Sequence, residues 1–205
     1  MKYGEAQGKG ALRRLSGRSP WYRLGASPKA LLAYARVSST QHQVFLNERG
    51  AEVDSNFFCI EPRGGFSHHL LYATLESAFG ALQKELLGRS YGGGSGPIKV
   101  EGADVSSILV LTQGEGREGD LVEAVRFFTS QPTRPLLEEL GMKSPEDTPN
   151  PLPHRKTLDS LVFDLLGLDE GERRAVYQET ARLVWERTAK AKNAKGIGAS
   201  EPRPQ

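Results

Sequence analysis

Between Ser67 and Gly88 the apolar residues Leu71, Leu75, Ala78, Phe79, Leu82 and Leu86 recur at spacings of three and four. That period lays them along one side of an α-helix, where they leave water together. Ser67 stands where an N-cap accepts an orphan backbone N–H, and Gly88 stands where such a helix stops. The spacing therefore predicts one helix over 67–88. Short apolar runs precede it. LLAYA (31–35) and QVFLN (43–47) read as strands, and NFFCI (56–60) is the clearest. Its unbroken apolar stretch, closed by Glu61-Pro62 and Gly64-Gly65, predicts a buried strand.

Beyond Gly88, a short strand is expected around 98–100 and another over SILVLT (107–112). DLVEAVRFFTS (120–130) has the pattern of an amphipathic helix, and PLLEELG (135–141) that of a short one. Two helices follow at 157–167 and 170–193, the second opened by Asp169 and Glu172 at capping-box spacing. Val176, Tyr177, Thr180, Leu183, Val184 and Arg187 share one face, so the pair can pack as a hairpin. The expected fold is α+β: a small mixed or antiparallel sheet with packed helices, ending in a C-terminal helical hairpin. The expected divisions are a flexible arm (1–10), an α+β domain (11–142), a proline-rich linker (143–156), the hairpin (157–193) and a disordered tail (194–205). No internal repeat is present.

Hydrophobic residues make up 38% and charged residues 25% of the 205, with 23 glycines and 12 prolines, which is a loop-rich globular composition and not a disordered one. No apolar run approaches the roughly 20 residues that span a bilayer, and the basic N-terminus lacks a secretory h-region. The single cysteine, Cys59, rules out an internal disulfide or a cysteine-based zinc cluster. Inside an apolar run it reads as an inert small hydrophobe. A cytoplasmic setting and no membrane partner follow as expectations. The net charge of +2 hides a strong polarity. Residues 1–36 sum to +7, residues 37–100 to −1, residues 101–172 to −9 and residues 173–205 to +5. Basic ends around an acidic middle suit a polyanionic partner.

Motifs that would carry catalysis fail on spacing. His68 and His69 are adjacent and point about 100° apart on a helix, so they cannot chelate one ion as an i, i+4 pair does. GxSxG, HExxH and P-loop patterns are missing. Gly92-Gly93-Gly94-Ser95-Gly96 follows a helix and precedes a strand, the reverse of the dinucleotide-binding context. Flanked by Arg89, Tyr91 and Lys99, it suits close approach to a phosphate backbone, and equally a plain flexible connector. Asn150-Pro151-Leu152-Pro153 lacks the adjacent second proline and following aromatic with which amino-methyltransferases hold a flipped adenine. It reads as linker.

Four blocks, in order, carry a family resemblance. GRSPWYRLG (17–25) resembles the arginine-aromatic opening of the C-terminal target-recognition region of adenine-N6 DNA methyltransferases, the TaqI-like specificity domain of restriction–modification enzymes. FLNERGAEVDSNFFCIEP (45–62) is similar to its "dsnfy-i-p" strand. Residues 70–111 resemble its "LNS" helix, glycine-rich turn, "lk" strand, acidic residue and apolar strand, with Leu75-Glu76-Ser77 in place of the asparagine-bearing triplet. Residues 154–193 resemble its closing helix pair. The resemblance makes 11–142 the target-recognition domain and implies duplex DNA as partner. It implies no cofactor in this chain: S-adenosylmethionine would sit in a separate catalytic subunit or half, because the family's methyl-donor loop and Asn-Pro-Pro-aromatic tetrapeptide do not occur here. The chain then reads as one part of a split enzyme or as a truncated frame.

On that reading Arg13, Arg14, Arg18, Arg23 and Lys29 are candidates for phosphate contacts. Arg36, Gln41, Gln43, Arg89, Tyr91 and Lys99 are candidates for the groove, where arginine pairs with guanine and glutamine with adenine. Trp21 and Tyr22 face a sugar or base, or else form a core edge. Leu161, Phe163, Leu183 and Trp185 would pack the helices or dock them on a catalytic partner. An interaction subunit of a defence complex and a general nucleic-acid-binding module remain as other readings of the same residues.

Overall fold

Leu32–Ala35 (β1) is buried along its whole length, which makes it the centre of a sheet and not an edge. The computed structural model describes residues 2–13, 15–22, 29–91 and 96–198, and of 190–198 the helical backbone. The chain turns from β1 into the two-residue strand β2 (Val37–Ser38) and returns as β3 (Val44–Leu46) and β4 (Phe57–Ile60). Both of these pair antiparallel with β1, giving the order β3-β1-β4. Leu32 and Tyr34 face the core beside Leu46, Ile60, Val44 and Phe58. Ala33 lies between Phe45 and Cys59 on the opposite row.

That register corrects one expectation. The apolar run 57–60 is an edge strand with Cys59 exposed, and the buried strand is the alanine-bearing β1. A second antiparallel sheet, in the order β2-β6-β5, joins β2 to β5 (Arg89–Ser90) and β6 (Ile98–Lys99). The fold is thus α+β, with small antiparallel sheets, flanking helices and two helices at the C-terminal end.

The helix expected over 67–88 is two helices. Residue Ser77 ends α2 (His68–Glu76) and starts α3 (Ala78–Leu87), its hydroxyl accepting the Gly80 N–H. The break is held from outside. Asp159 accepts the Ala78 N–H at 2.8 Å, and the Arg155 guanidinium donates to the Glu76 carbonyl. A methyl on Gly80 would fall 2.5 Å from the Thr74 carbonyl oxygen and closer still to that of Leu75, so only glycine allows this approach. Because α2 is enclosed on nearly every side from Tyr72 onward, its burial does not follow the single stripe that its spacing suggested.

Other elements follow. After α4 (Gly102–Ser106) comes the segment 107–112, expected as a strand and here without strand pairing. The Gln83 side chain takes a partner strand's place, donating to the Leu109 carbonyl and accepting its N–H. Helix α5 (Glu118–Thr129) packs on α2, and α6 (Leu136–Glu139) is a single turn. The proline-rich stretch folds back on that turn, Asn150 N–H bonding to Leu140 O and Leu152 N–H to Glu139 O, and α7 (Pro153–Leu165) starts inside the expected linker.

The last helix, α8 (Glu170–Gly198), opens on the expected capping box, Asp169 and Glu172 exchanging backbone N–H bonds at 2.9 Å. It continues through 194–198, where a tail was expected, and 199–205 lie outside the described residues. Helices α7 and α8 meet near their turn through Phe163 against Tyr177 and Asp164 against Arg173. Beyond it α7 runs along α5 and α8 along α3, so the pair is built into the body, with Leu161 and Phe163 in the core. At the other end, residues expected as loop form the short helix α1 (Lys2–Ala6) and a 3-10 turn, Lys9–Ala11.

Two apolar clusters result. One joins the β1 sheet to α2, α5 and α7, and the other joins α3, α6, the α7 end and α8, with Phe79 touching both. Between them lies Arg155, 0% exposed, bonded to Glu76, Glu139 and Asp159 and set 4.5 Å over the Phe128 ring. Removing one member of such a buried network leaves uncompensated charge. Replacing Arg155 with Met should lower stability by about 3–5 kcal/mol, read as a reduced urea midpoint. An unchanged midpoint would refute the tie.

Burial also raises Glu76 to about 8 and Asp159 to about 6, and lowers Lys84 to about 8. Groups raised on folding add stability that is lost as pH rises through the folded value; a lowered lysine adds stability that is lost as pH falls. Burial lowers His42, His69 and His154, and their contribution is complete above about 6.5. Between pH 6.5 and 8, Glu76 therefore acts alone among the described residues. Stability should fall there by roughly 1 kcal/mol per pH unit and recover toward pH 10 as Lys84 takes over. Melting temperatures across pH check this, and Glu76→Gln should remove the decline.

Candidate nucleic-acid interface

The second sheet gathers most of the residues proposed for the groove. Its register sets Val37, Lys99 and Arg89 side by side across three strands, and the alternate row carries Ser38, Ile98 and Ser90. Ile98 is buried, its side chain against Gly88 so closely that a methyl there would fall 2.6 Å away. With Ile98 fixed inward, strand alternation turns Lys99 outward with its row. Arg89 is 74% exposed by side chain and Val37 is exposed. Tyr91, also exposed, stands at the ribbon's end with its ring 5.5 Å from Lys99 Nζ.

Behind the row, Arg36 is tied down. Its guanidinium donates to the Ser55 carbonyl at 3.2 Å and to Glu101 at 3.1 Å, and lies 4.6 Å over the Phe58 ring. Its position between β1 and β2, with backbone bonds to Asn56 and Val100, makes it a brace between the two sheets.

Two acids that the charge pattern did not single out complete the cluster. Glu101 bonds Lys99 at 2.6 Å as well as Arg36, and Asp104 lies 3.8 Å from Arg89. The Lys99 contact, followed by Arg36, holds the Glu101 carboxyl below its ordinary range. The signal was present in Lys99-Val100-Glu101, where i and i+2 share a strand face, but the acid was counted only in a segmental sum.

Two long cations from the body hold the ribbon. Lys84, fully buried, donates to Ala35 O and Ser38 Oγ at 2.7 Å each and faces the Tyr34 ring. Arg187 of α8 pairs with Glu85 at 2.7 Å and donates to the Ser39 and Gly96 carbonyls, so it ties the end of β2 to the start of β6. The glycines Gly92, Gly93 and Gly94 with Ser95 lie outside the described residues, as do Arg14 and Arg23.

The remaining candidates stand apart from this cluster. Arg13, Arg18 and Lys29 are exposed, Arg13 and Arg18 within the N-terminal segment and Lys29 just before β1. Trp21 packs on that segment itself, its ring where a methyl on Gly4 or Gly10 would go, and meets Tyr22 edge-on at 5.6 Å. It is neither at the edge of the main core nor open as a stacking platform; Tyr22 is the exposed partner. Gln41 is exposed in the β2–β3 loop, whereas Gln43 is half-buried and lines a cleft with His42 and Val44. His68 and His69 stack with ring centres 3.9 Å apart. Among the described residues no group of three or more His, Cys, Asp or Glu is placed to hold a metal ion, and no helix is long and apolar enough to cross a membrane.

A protein-family comparison matches residues 1–127 to the family described as Type II methyltransferase M.Eco57I, C-terminal domain. That span contains the N-terminal segment, both sheets and most of α5. No curated protein and no solved structure matches the chain.

The ion pairs make a testable statement about charge. Glu101→Gln should free Arg36 and Lys99 for an external anion and delay elution from immobilised heparin to higher salt. Unchanged elution would mean that these cations do not face the polyanion.

Proposed function

The chain belongs to the family of type II methyltransferase M.Eco57I C-terminal domains, and from that membership we propose that it reads DNA for a site-specific adenine-N6 methyltransferase. The observation that carries this reading is the outward row of Lys99 and Arg89, with Tyr91 at its end, inside the matched span. The β5–β6 pair is a two-stranded antiparallel unit at one edge of this three-stranded sheet; ribbons of that kind enter the major groove, and arginine there can bond a guanine edge bidentately. Lys99 and Arg36 are better suited to phosphates, because each is already held by an acid whose place a phosphate can take. Arg13, Arg18 and Lys29 would extend the backbone contact along the duplex.

Base chemistry would fall to a partner. Methylating an adenine in a duplex requires flipping it from the stack. S-adenosylmethionine and the methyl transfer belong, on this proposal, to a catalytic subunit or half, and this chain supplies position and sequence choice.

Each phosphate neutralised contributes about −0.9 to the slope of log affinity against log salt. Binding to duplex DNA should therefore weaken steeply between 50 and 200 mM salt. Arg89→Ala with Lys99→Ala should flatten the slope by roughly two units if both meet phosphates, or by one with relaxed sequence preference if Arg89 reads a base. A chain that captures a methyltransferase but shows no salt-dependent affinity for DNA would overturn the proposal in favour of an interaction subunit.

A further inference from the structure

The buried ion network borders a cleft of about 220 Å³, the one that Gln43 lines. It lies between β3 with the preceding loop (His42–Leu46), the α2 residues Tyr72 and Glu76, and the end of α5 with the connection that follows it (Phe128–Thr133). Glu76, Glu139 and His154 form its inner wall, each no more than 5% exposed. Two of these have hydrogen-bonding capacity left over. Glu139 gives one oxygen, Oε2, to both Arg155 Nε and Nη2, which leaves Oε1. His154 Nε2 is buried with no hydrogen-bond partner among the described residues. Both oxygens of Glu76 are already used, by Val44 N–H and Arg155.

Those valences suit a donor. A carboxylate oxygen only accepts, so the ligand must donate there, and burial keeps the His154 imidazole neutral and able to accept as well. The flanking surfaces are flat: His154 lies 5.3 Å from the Phe128 ring, and Tyr72 lines the same space. Charge favours a cation over a neutral donor. With Glu76 protonated at neutral pH, Arg155 faces two charged carboxylates, Glu139 and Asp159, which leaves one negative charge over, while Lys84 is committed to Ala35 and Ser38. Size sets the upper bound, since a cavity of roughly 150 Å³ accepts benzene.

We propose that this cleft binds a small planar cation of the guanidinium or amidinium class, its N–H groups bridging Glu139 Oε1 and His154 Nε2. The same chemistry is offered by a free small molecule and by an arginine side chain of a partner protein. The site is independent of the DNA reading and can stand or fall without it.

The test titrates the full chain with methylguanidinium chloride at constant ionic strength, following the imidazole nitrogens of His154 by NMR. A saturable millimolar shift is expected, with tetramethylammonium, which has the charge but no N–H, giving none. Blocking the mouth with Thr133→Trp, at an exposed rim position away from the ion network, should weaken binding at least tenfold. Glu139→Gln should abolish it where that variant folds. Equal binding of N-acetylarginine methylamide would identify a side chain as occupant, and preference for the smaller ion a free molecule. No saturable shift by 50 mM, an identical response to tetramethylammonium, or indifference to Thr133→Trp would overturn the proposal and leave water as the partner of His154.

Discussion

Arg155 is the constraint on which the rest of this fold depends. One guanidinium reaches α2 through Glu76, α6 through Glu139, its own helix through Asp159 and α5 through the face of Phe128. A cation so enclosed carries a desolvation cost of several kcal/mol, which only complete pairing offsets. The pairing in turn requires the α2 carbonyls to point at α7, and they do so because the helix stops at Ser77. Asp159 then caps the fresh start of α3. A polar cluster at the meeting of two apolar cores thus sets the angle at which α3 leaves.

That angle reaches the surface. Helix α3 delivers Lys84 beneath the β1–β2 turn, where its ammonium fixes Ala35 O and Ser38 Oγ, and it ends at Gly88 against Ile98. Glu85 on the next position engages Arg187, which fixes the Ser39 and Gly96 carbonyls where β2 ends and β6 begins. The row of Lys99 and Arg89 is therefore held by buried charges that bond the sheet directly from beneath. A three-strand ribbon of two-residue strands has too little pairing to be rigid alone. The ion network supplies what the backbone ladder lacks.

What was legible in the chain follows from the range of the forces involved. Strands at 31–35, 43–47 and 56–60 and the helices at 120–130 and 170–193 are local patterns, and they stand where the patterns put them. Which strand is central was not legible, because Ala33 and Ala35 score as poor strand residues yet leave room for neighbours on both sides. The break at Ser77 was hidden for a different reason. Its cause, Arg155, lies 79 residues downstream of Glu76, and no window on the sequence spans that distance. SILVLT has strand composition, but its partner is a glutamine side chain and no second strand arrives. In the site, the cations of the ribbon were legible as residues near a glycine turn. Their counter-ions were not, because pairing depends on register and not on composition.

The same point bears on charge as a guide to partners. Segmental sums treat the acidic middle as a surface property, but Glu139 and Asp159 are interior and balance Arg155. Glu101 and Asp104 are at the surface, yet they sit on the very cations a polyanion would seek. The potential met by an approaching phosphate is then governed by a few carboxylates. Glu101 matters most, since it engages two cations at once and is 42% exposed by side chain. A partner that supplies a doubly accepting phosphate can displace it at little cost, because each lost ion pair is replaced by another of equal geometry. A neutral partner cannot. On the proposed reading, such an exchange would leave the ribbon nearly silent toward weak anions and responsive to a phosphate backbone, which is the discrimination a DNA-reading surface needs before any base is touched.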